Sequence, residues 1–217
     1  MACENQRVAA FFDVDRTLIE VNSGAQWIRH EWRGGRISVR QLVRAMWWLT
    51  LYRMSRMDFE EVTAKATIDY AGRPVAAVES EVRAWFDQEI ATWICKQGQA
   101  AVARHQQAGH IVALLTSGTR FSAQPLAERF GIEHVLCTEL EAANGLLTGK
   151  HLYPACGGEG KIAHAEKFAA AHSIDMSKSY FYTDSMSDMP MLLRVGEPRV
   201  INPDPRLRRA ARARGWQ

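Results

Sequence analysis

The sequence predicts an α/β fold: a Rossmann-like, mostly parallel sheet flanked by helices, with an all-helical cap inserted after the first strand. Three observations predict it. Ala9-Ala10-Phe11-Phe12 is a short apolar run that stops abruptly at charged residues, the pattern of a strand buried on both faces. The roughly seventy residues after Thr17 carry apolar side chains at three- and four-residue spacing, a helical period. From Gln99 onward, helical stretches alternate with short apolar strands, which implies a parallel sheet covered on both sides.

At 217 residues and 47% hydrophobic content, the chain can bury a full core, as one domain with a large insertion or as two small ones. A formal net charge of +3 is modest for this length, so the expected partner is a small anionic molecule and not nucleic acid. Cys3, Cys95, Cys137 and Cys156 are scattered, with neither a disulfide framework nor zinc-ligand spacing, and a reducing cytoplasm is expected. The polar start Met1 to Arg7 leads straight into the first strand and leaves no room for a signal peptide. No apolar run approaches the roughly 18 residues of a spanning helix. The nearest, Ala45 to Tyr52 between Arg44 and Arg53, could touch a membrane surface but not cross one.

The elements follow in order. Trp27, Ile28 and Trp32, then Val39, Leu42, Val43, Met46, Trp47, Leu49 and Leu51, mark two helices with Gly34-Gly35 as the turn between them. Asp58 followed by Glu61 starts a helix that stops near Gly72-Arg73-Pro74. Val75 to Ile94 reads as one further helix. Residues 20–90 are therefore expected to form the cap, and residues 1–19 with 91–217 the core. There follow a helix from Ala100 to Ala108, a stop at Gly109, a strand from Ile111 to Leu115, and a helix from about Ser122 to Phe130. A strand from His134 to Thr138 leads to a hairpin turning at Asn144-Gly145. A flexible lead-in, Pro154 to Gly160, precedes a helix from Lys161 to about His172. A strand from Ser179 to Thr183, a helix from Met189 to Val195, a strand from Arg199 to Ile201 and a tail helix capped by Asp204 and Pro205 complete the chain.

The candidate site residues lie at strand ends. Alternation along the first strand puts Asp13 and Asp15 on one face, and two like charges so close call for a cation, such as a divalent ion held by oxygen ligands. Taken alone, the pair serves a strand-to-loop turn equally well. Thr116-Ser117-Gly118-Thr119, between a strand and a helix, makes an anion seat with Ser117 as a donor, although Ser and Thr also favour helix caps. Lys161 at a helix start opposes the helix dipole and needs a compensating anion, which Asp13 with a bound phosphate would supply. Asp184 ends a strand and Asp188 follows one turn later, close enough to share a metal or support it, or else to cap the helix. Arg29, Arg33, Arg36, Arg40 and Arg44 fall at three- and four-residue intervals. They read as a solvated helix face, or, with Trp47 and Trp48 behind them, as a seat for an anionic or lipid-like molecule. The tail arginines from Arg206 to Arg214 read as a solvated basic face.

Phe12 to Leu18, Leu115-Thr116-Ser117-Gly118, Lys161 and Tyr182 to Asp188 together resemble, in order, the motifs of the haloacid dehalogenase-like superfamily, and specifically its phosphoserine phosphatase-like branch. The resemblance covers nearly the whole chain. It implies a phosphatase in which Asp13 is the nucleophile, forming an aspartyl-phosphate, and Asp15 the general acid and base. It further implies magnesium held by the Asp13 carboxylate, the Asp15 main-chain carbonyl and Asp184, with Asp188 orienting metal-bound water. Ser117, Gly118 and Lys161 would bind the phosphoryl oxygens, and Thr17 would support the site. Asp15 favours a phosphatase over a dehalogenase, because an alkoxide leaving group needs an acid.

The sequence departs from phosphoserine phosphatases in the cap. Asn22 stands where they have a glutamate for the substrate amine, and Ala64 or Ala66 where an arginine would meet the carboxylate. Phosphoserine is therefore not the favoured substrate; histidinol phosphate and lysophospholipid phosphates are alternatives. A phosphotransferase would use the same intermediate, and a non-catalytic binding protein would have lost Asp13 or Lys161, which are present. Arg16 stands where the family usually has a small or polar residue, and could narrow the pocket or contact a substrate anion.

Overall fold

The structure, a computed structural model, describes residues 6–53 and 58–216, without the side chains of residues 46 and 49–53. The centre of the fold is β1 (Ala9–Phe12), whose four residues are wholly buried. Alternation sends Ala10 and Phe12 to one face and Ala9 and Phe11 to the other, so this strand must be covered twice. Along the chain follow α1 (Ser23–Arg33), α2 (Val39–Arg53), α3 (Phe59–Thr67), α4 (Val75–Trp85), α5 (Lys96–Gln107), β2 (Ile111–Thr119), α6 (Arg120–Phe130), β3 (His134–Thr138), β4 (Leu140–Ala143), β5 (Leu146–His151), α7 (Glu159–Ala171), β6 (Tyr180–Thr183), α8 (Met189–Leu192), β7 (Glu197–Val200) and α9 (Pro205–Arg214). Five strands form one parallel sheet in the order β3-β2-β1-β6-β7, while β4 and β5 pair as a separate antiparallel hairpin.

Helices cover both faces. Val78, Val82 and Trp85 of α4, Ala101 and Val102 of α5, and Leu126 of α6 pack on the Phe12 side. Ala165 and Ala169 of α7, Met191 and Leu192 of α8, and Leu207 of α9 pack on the Phe11 side. Each fully buried Phe contributes roughly 1.5–3 kcal/mol by removal from water. Because β1 lies between β2 and β6, the chain reverses its winding direction on either side of it, which opens a crevice at its carboxyl end.

The helices α1 to α4 are inserted between β1 and β2. The two strands of chain that connect them to the sheet run side by side: Ile19 and Ile94 form an antiparallel bridge, Glu20 N–H donates to Trp93 O at 2.7 Å, and Cys95 N–H donates to Leu18 O at 2.9 Å. This ribbon corrects the expected helix from Val75 to Ile94. The helix passes through one wider π turn, Phe86–Ile90, and ends there, because the Trp93 carbonyl and the Cys95 N–H are bonded to the opposite connection.

Other boundaries shift for similar reasons. Strand β2 runs on to Thr119 because Thr119 still pairs with Thr138 across an irregularity. Helix α6 accordingly starts at Arg120. The expected helix from Met189 to Val195 is a single turn, α8, preceded by a 3-10 turn at Met186–Asp188. The turn at Asn144-Gly145 is as expected, with both residues at positive φ (52° and 78°). The hairpin docks on the insertion: Gly72 N–H donates to Leu147 O, Leu147 N–H to Arg73 O, and Val75 N–H to Gly145 O.

One buried polar cluster has no counterpart in the sequence analysis. His105 of α5 places Nε2 3.0 Å from Tyr182 Oη and Nδ1 2.8 Å from His110 Nδ1, while Tyr182 stacks on Phe12. Burial, followed by the nearby charges of His110, Arg104 and Arg199, lowers His105 from 6.5 to about 4. Its neutral form is the one the fold holds, so its contribution to stability is complete above about pH 6.5 and is lost as the pH falls toward 4. Urea unfolding at pH 7 and pH 5 is therefore expected to show a drop in stability that is smaller in His105→Gln; equal drops would contradict this assignment.

Candidate active site

The crevice is built from the chain just beyond β1. Asp13 N–H donates to Tyr182 O at 2.9 Å, which anchors the strand end against β6. The following loop folds around one acceptor: the N–H groups of Thr17, Leu18 and Ile19 all donate to Val14 O. Such tight winding puts Arg16 at φ 56°, a left-handed conformation that costs a non-glycine residue on the order of 1 kcal/mol. Arg16 O accepts a hydrogen bond from Asn202 Nδ2 at 3.0 Å, and Gly98 of α5 leaves room for the loop from below. A Cβ on Gly98 would lie 2.4 Å from Thr17 O. Thr17 is fully buried, and its hydroxyl has no hydrogen-bond partner among the described residues.

Lys161 lies in the first turn of α7. Its Nζ donates to Asp13 Oδ1 at 2.7 Å and to Asp188 Oδ2 at 2.8 Å, and all three side chains are buried. Thr183 Oγ1 also donates to Asp188 Oδ2, at 2.7 Å. Burial would discharge Lys161, but the carboxylates of Asp13 and Asp188 outweigh it and hold the ammonium charged. For Asp13, burial pushes the carboxyl upward against the pull of Lys161. The lysine side chain has three donors, of which the two carboxylates take two. The lead-in to α7 is packed and not flexible as expected. Ala155 and Cys156 are fully buried, and a Cβ on Gly160 would lie 2.0 Å from Ala155 O, so the segment closes tightly enough to aim Lys161 inward.

Asp15 faces the insertion. Its Oδ1 accepts from Ser23 N–H at 2.9 Å and its Oδ2 from Asn22 Nδ2 at 2.8 Å. Asn22 in turn caps α1, its Oδ1 accepting from Ala25 N–H at 2.8 Å. Both ends of the Asn22 amide are thus engaged by protein. Burial raises the Asp15 carboxyl above its ordinary range, opposed by the hydrogen bonds from Ser23. Asp184, at the end of β6, is raised by burial to about 7; the Arg16 charge opposes that rise, while Asp188 and Asp15 add to it.

The pairing of β1 with β2 ends at Phe12↔Leu114, so the loop carrying Asp15 and the end of β2 carrying Ser117 lie at the same edge of the sheet. Ser117 is exposed on this rim, its carbonyl accepting from Thr138 Oγ1 at 3.1 Å. Gly118 N–H is turned onto Thr116 Oγ1 at 3.2 Å. The structure therefore joins Asp13, Lys161 and Asp188 by direct contact. It sets Asp15, Asp184, Ser117 and Gly118 at neighbouring strand ends, places Arg16 among the charges that act on Asp184, and ties Asn22 to Asp15.

Four carboxylates, Asp13, Asp15, Asp184 and Asp188, face the two cations Lys161 and Arg16, an excess of negative charge in a poorly hydrated place. Asp13 and Asp184, with main-chain carbonyls, are the hard oxygen donors that could hold a divalent cation. Among the described residues no three Asp, Glu, His or Cys side chains form a ready metal cage. Sequence reasoning missed Thr183, which orients Asp188, and the true partner of Asn22. A hydroxyl residue ending a strand five residues before an Asp was the available signal for Thr183.

A parallel sheet with an aspartate–lysine pair at the end of its central strand defines an α/β protein with a carboxylate-centred site. The chain belongs to the haloacid dehalogenase-like hydrolase family, whose model matches residues 10–193. It is 30% identical over 213 residues to a phosphoserine phosphatase of Mycobacterium tuberculosis, covering 96% of this chain and 69% of that one. It is 29% identical over 217 residues to a histidinol-phosphatase of Neisseria meningitidis, covering 95% and 96%. Among solved structures, a protein of unknown function from Bordetella pertussis superposes with a TM-score of 0.88 at 29% identity, over 98% of both chains.

Removing Lys161 leaves two carboxylates buried without their cation, a change that typically costs about 3–5 kcal/mol. Lys161→Met is expected to lose stability of that order in urea unfolding, and adding Asp188→Asn to recover part of it. A Lys161→Met variant as stable as the native chain would show that the ion pairs carry no such weight.

Proposed function

We propose that the chain is a magnesium-dependent phosphomonoester phosphatase that works through an aspartyl-phosphate on Asp13. The observation that carries this reading is the Asp13–Lys161 contact, with Asp15 two residues on and held separately by Asn22 and Ser23. The family assignment and the phosphatases among its relatives support it.

In the first half-reaction an Asp13 carboxylate oxygen forms a bond to phosphorus as the ester P–O bond breaks, and Asp15 gives its proton to the departing alcohol oxygen. In the second, Asp15 takes a proton from water as the water oxygen bonds to phosphorus, the Asp13–phosphorus bond breaks, and inorganic phosphate leaves. Lys161 orients Asp13 and favours its ionised form against burial, and offers its third donor to a phosphoryl oxygen, beside the Ser117 hydroxyl and the Gly118 main chain. A magnesium ion on Asp13, Asp184 and the Asp15 main-chain carbonyl would offset charge on the phosphoryl oxygens, and the surplus of carboxylates fits that role. Asp188 acts through Lys161 and Thr183, and Thr17 fills the floor of the loop.

In this reading residues 20–90 form the cap over the core of residues 1–19 and 91–217, and the substrate is a small organic phosphate. Asn22 spends its amide on Asp15 and on α1, and Ala64 or Ala66 stands where an arginine would meet a substrate carboxylate, so an ester without that carboxylate, such as histidinol phosphate, is a better candidate than phosphoserine. A cytoplasmic setting suits the buried free thiols of Cys95, Cys137 and Cys156. No helix among the described residues is long and apolar enough to cross a membrane.

An aryl phosphate leaves without help from an acid, whereas an alkyl phosphate does not. Asp15→Asn should therefore keep a burst of nitrophenolate from p-nitrophenyl phosphate, followed by stalled turnover, while phosphate release from alkyl esters falls by roughly 10²–10⁴-fold. Equal loss of the burst and of alkyl ester cleavage would remove Asp15 from its role. Metal binding must displace the protons that burial keeps on Asp184 below about pH 7, and without metal this group's contribution to stability is lost as the pH rises from 3.8 through 7. Magnesium should raise the melting temperature more at pH 8 than at pH 5.5; no such dependence would count against the site.

A further inference from the structure

The arginine stripe of the insertion plays no part in the chemistry above. Between residues 20 and 57 the sequence carries seven arginines and only two acidic residues, Glu20 and Glu31. On α2, Val39, Val43 and Trp47 recur every fourth residue and are 67%, 62% and 61% exposed. At about 100° per residue they form one line along the helix, with Arg40 and Arg44 on the line immediately beside it. Trp32 of α1 adds a fourth apolar side chain, 51% exposed. The half-buried Gln41, Leu42 and Ala45 mark the opposite, inward side of α2. Arg36 is paired with Glu31 and Arg44 with Asp69, while Arg29 and Arg40 are exposed and make no ion pair among the described residues.

We propose that the exposed face of α2 docks on a lipid bilayer bearing anionic headgroups, with Val39, Val43 and Trp47 at the headgroup boundary and Arg40 and Arg44 beside them on the phosphates. Charge complementarity selects this occupant. A second copy of the chain would bring the same arginines against these, with Glu31 and Asp69 already engaged by Arg36 and Arg44, whereas an anionic lipid surface offers many phosphates at once. The apolar line is one residue wide along the helix, too narrow for a buried protein interface but suited to a helix lying in the interfacial plane, where Trp is at home. The contact requires no spanning segment and leaves the crevice at the end of β1 on the core.

The test is flotation of the full chain with phosphatidylcholine vesicles prepared with and without phosphatidylglycerol. The native chain should float with the anionic vesicles only, and raised salt should release it. Val43→Glu should abolish binding and Arg40→Glu should weaken it roughly tenfold or more. Both positions are exposed and outside the proposed catalytic machinery, so circular dichroism and p-nitrophenyl phosphate hydrolysis should be unchanged. Absence of anionic vesicle binding, equal binding by the two variants, or salt-sensitive self-association without lipid would each overturn the proposal. Vesicle binding is measured without substrate, so its failure leaves the phosphatase reading untouched, and the reverse also holds.

Discussion

Lys161 is the constraint on which the rest of the molecule depends. A buried ammonium is tolerated only if carboxylates receive it, and Asp13 and Asp188 do so at hydrogen-bond distance from two different strand ends. That one side chain therefore requires β1 and β6 to be adjacent and in register, α7 to start close beneath them, and the lead-in to α7 to be packed. Gly160 meets the last requirement, since any side chain there would collide with the Ala155 carbonyl. The same ion pair that fixes the fold locally also opposes the burial that raises the Asp13 carboxyl.

The insertion meets this centre at a polar joint on Asp15. Asp15 binds the first residues of α1, and the antiparallel ribbon between Leu18–Glu20 and Trp93–Cys95 carries the remaining connection. A movement of α1 would consequently reorient Asp15 while leaving the Asp13–Lys161 pair in place. Asp13 and Asp15 are thus supported by different parts of the chain, which in the proposed mechanism separates the support of the nucleophile from that of the acid. The hairpin β4–β5 and Glu60 of α3 tie the far side of the insertion down, Glu60 accepting from Ala155 N–H and lying 2.6 Å from His151 Nε2.

Much of this was legible in the sequence because its determinants are local. The apolar run before Asp13 marked the central strand, Asp58 and Asp204 marked helix starts through their side-chain caps, and Asn144-Gly145 marked the hairpin through its demand for positive φ. Asp13, Lys161 and Asp188 were identifiable by type and position, and the need of Lys161 for an anion pointed to Asp13, but its contact with Asp188 was not legible, since the two are 27 residues apart in the chain. Two readings failed where packing decides the outcome. Val75 to Ile94 has a helical period throughout, yet its end pairs with Leu18 to Glu20. The glycine-rich stretch before Lys161 looks flexible, yet its glycines serve close packing. Asn22 stood out as a substituted substrate residue, and the structure adds that its amide holds Asp15. The His105–His110–Tyr182 cluster left no local signature, because isolated His and Tyr residues in a helix and a strand carry no sign of their meeting.

The central claim is that Asp13 carries the phosphoryl group between the two half-reactions, and the most direct measurement is to trap it there. The chain would be mixed with an excess of phosphate ester and magnesium, quenched in acid, reduced with borohydride and digested for mass spectrometry. The account predicts that residue 13 is recovered as homoserine, the product of reducing an aspartyl-phosphate, only when ester is present. Phosphate release with residue 13 recovered unchanged, or with the reduced residue elsewhere in the chain, would contradict it.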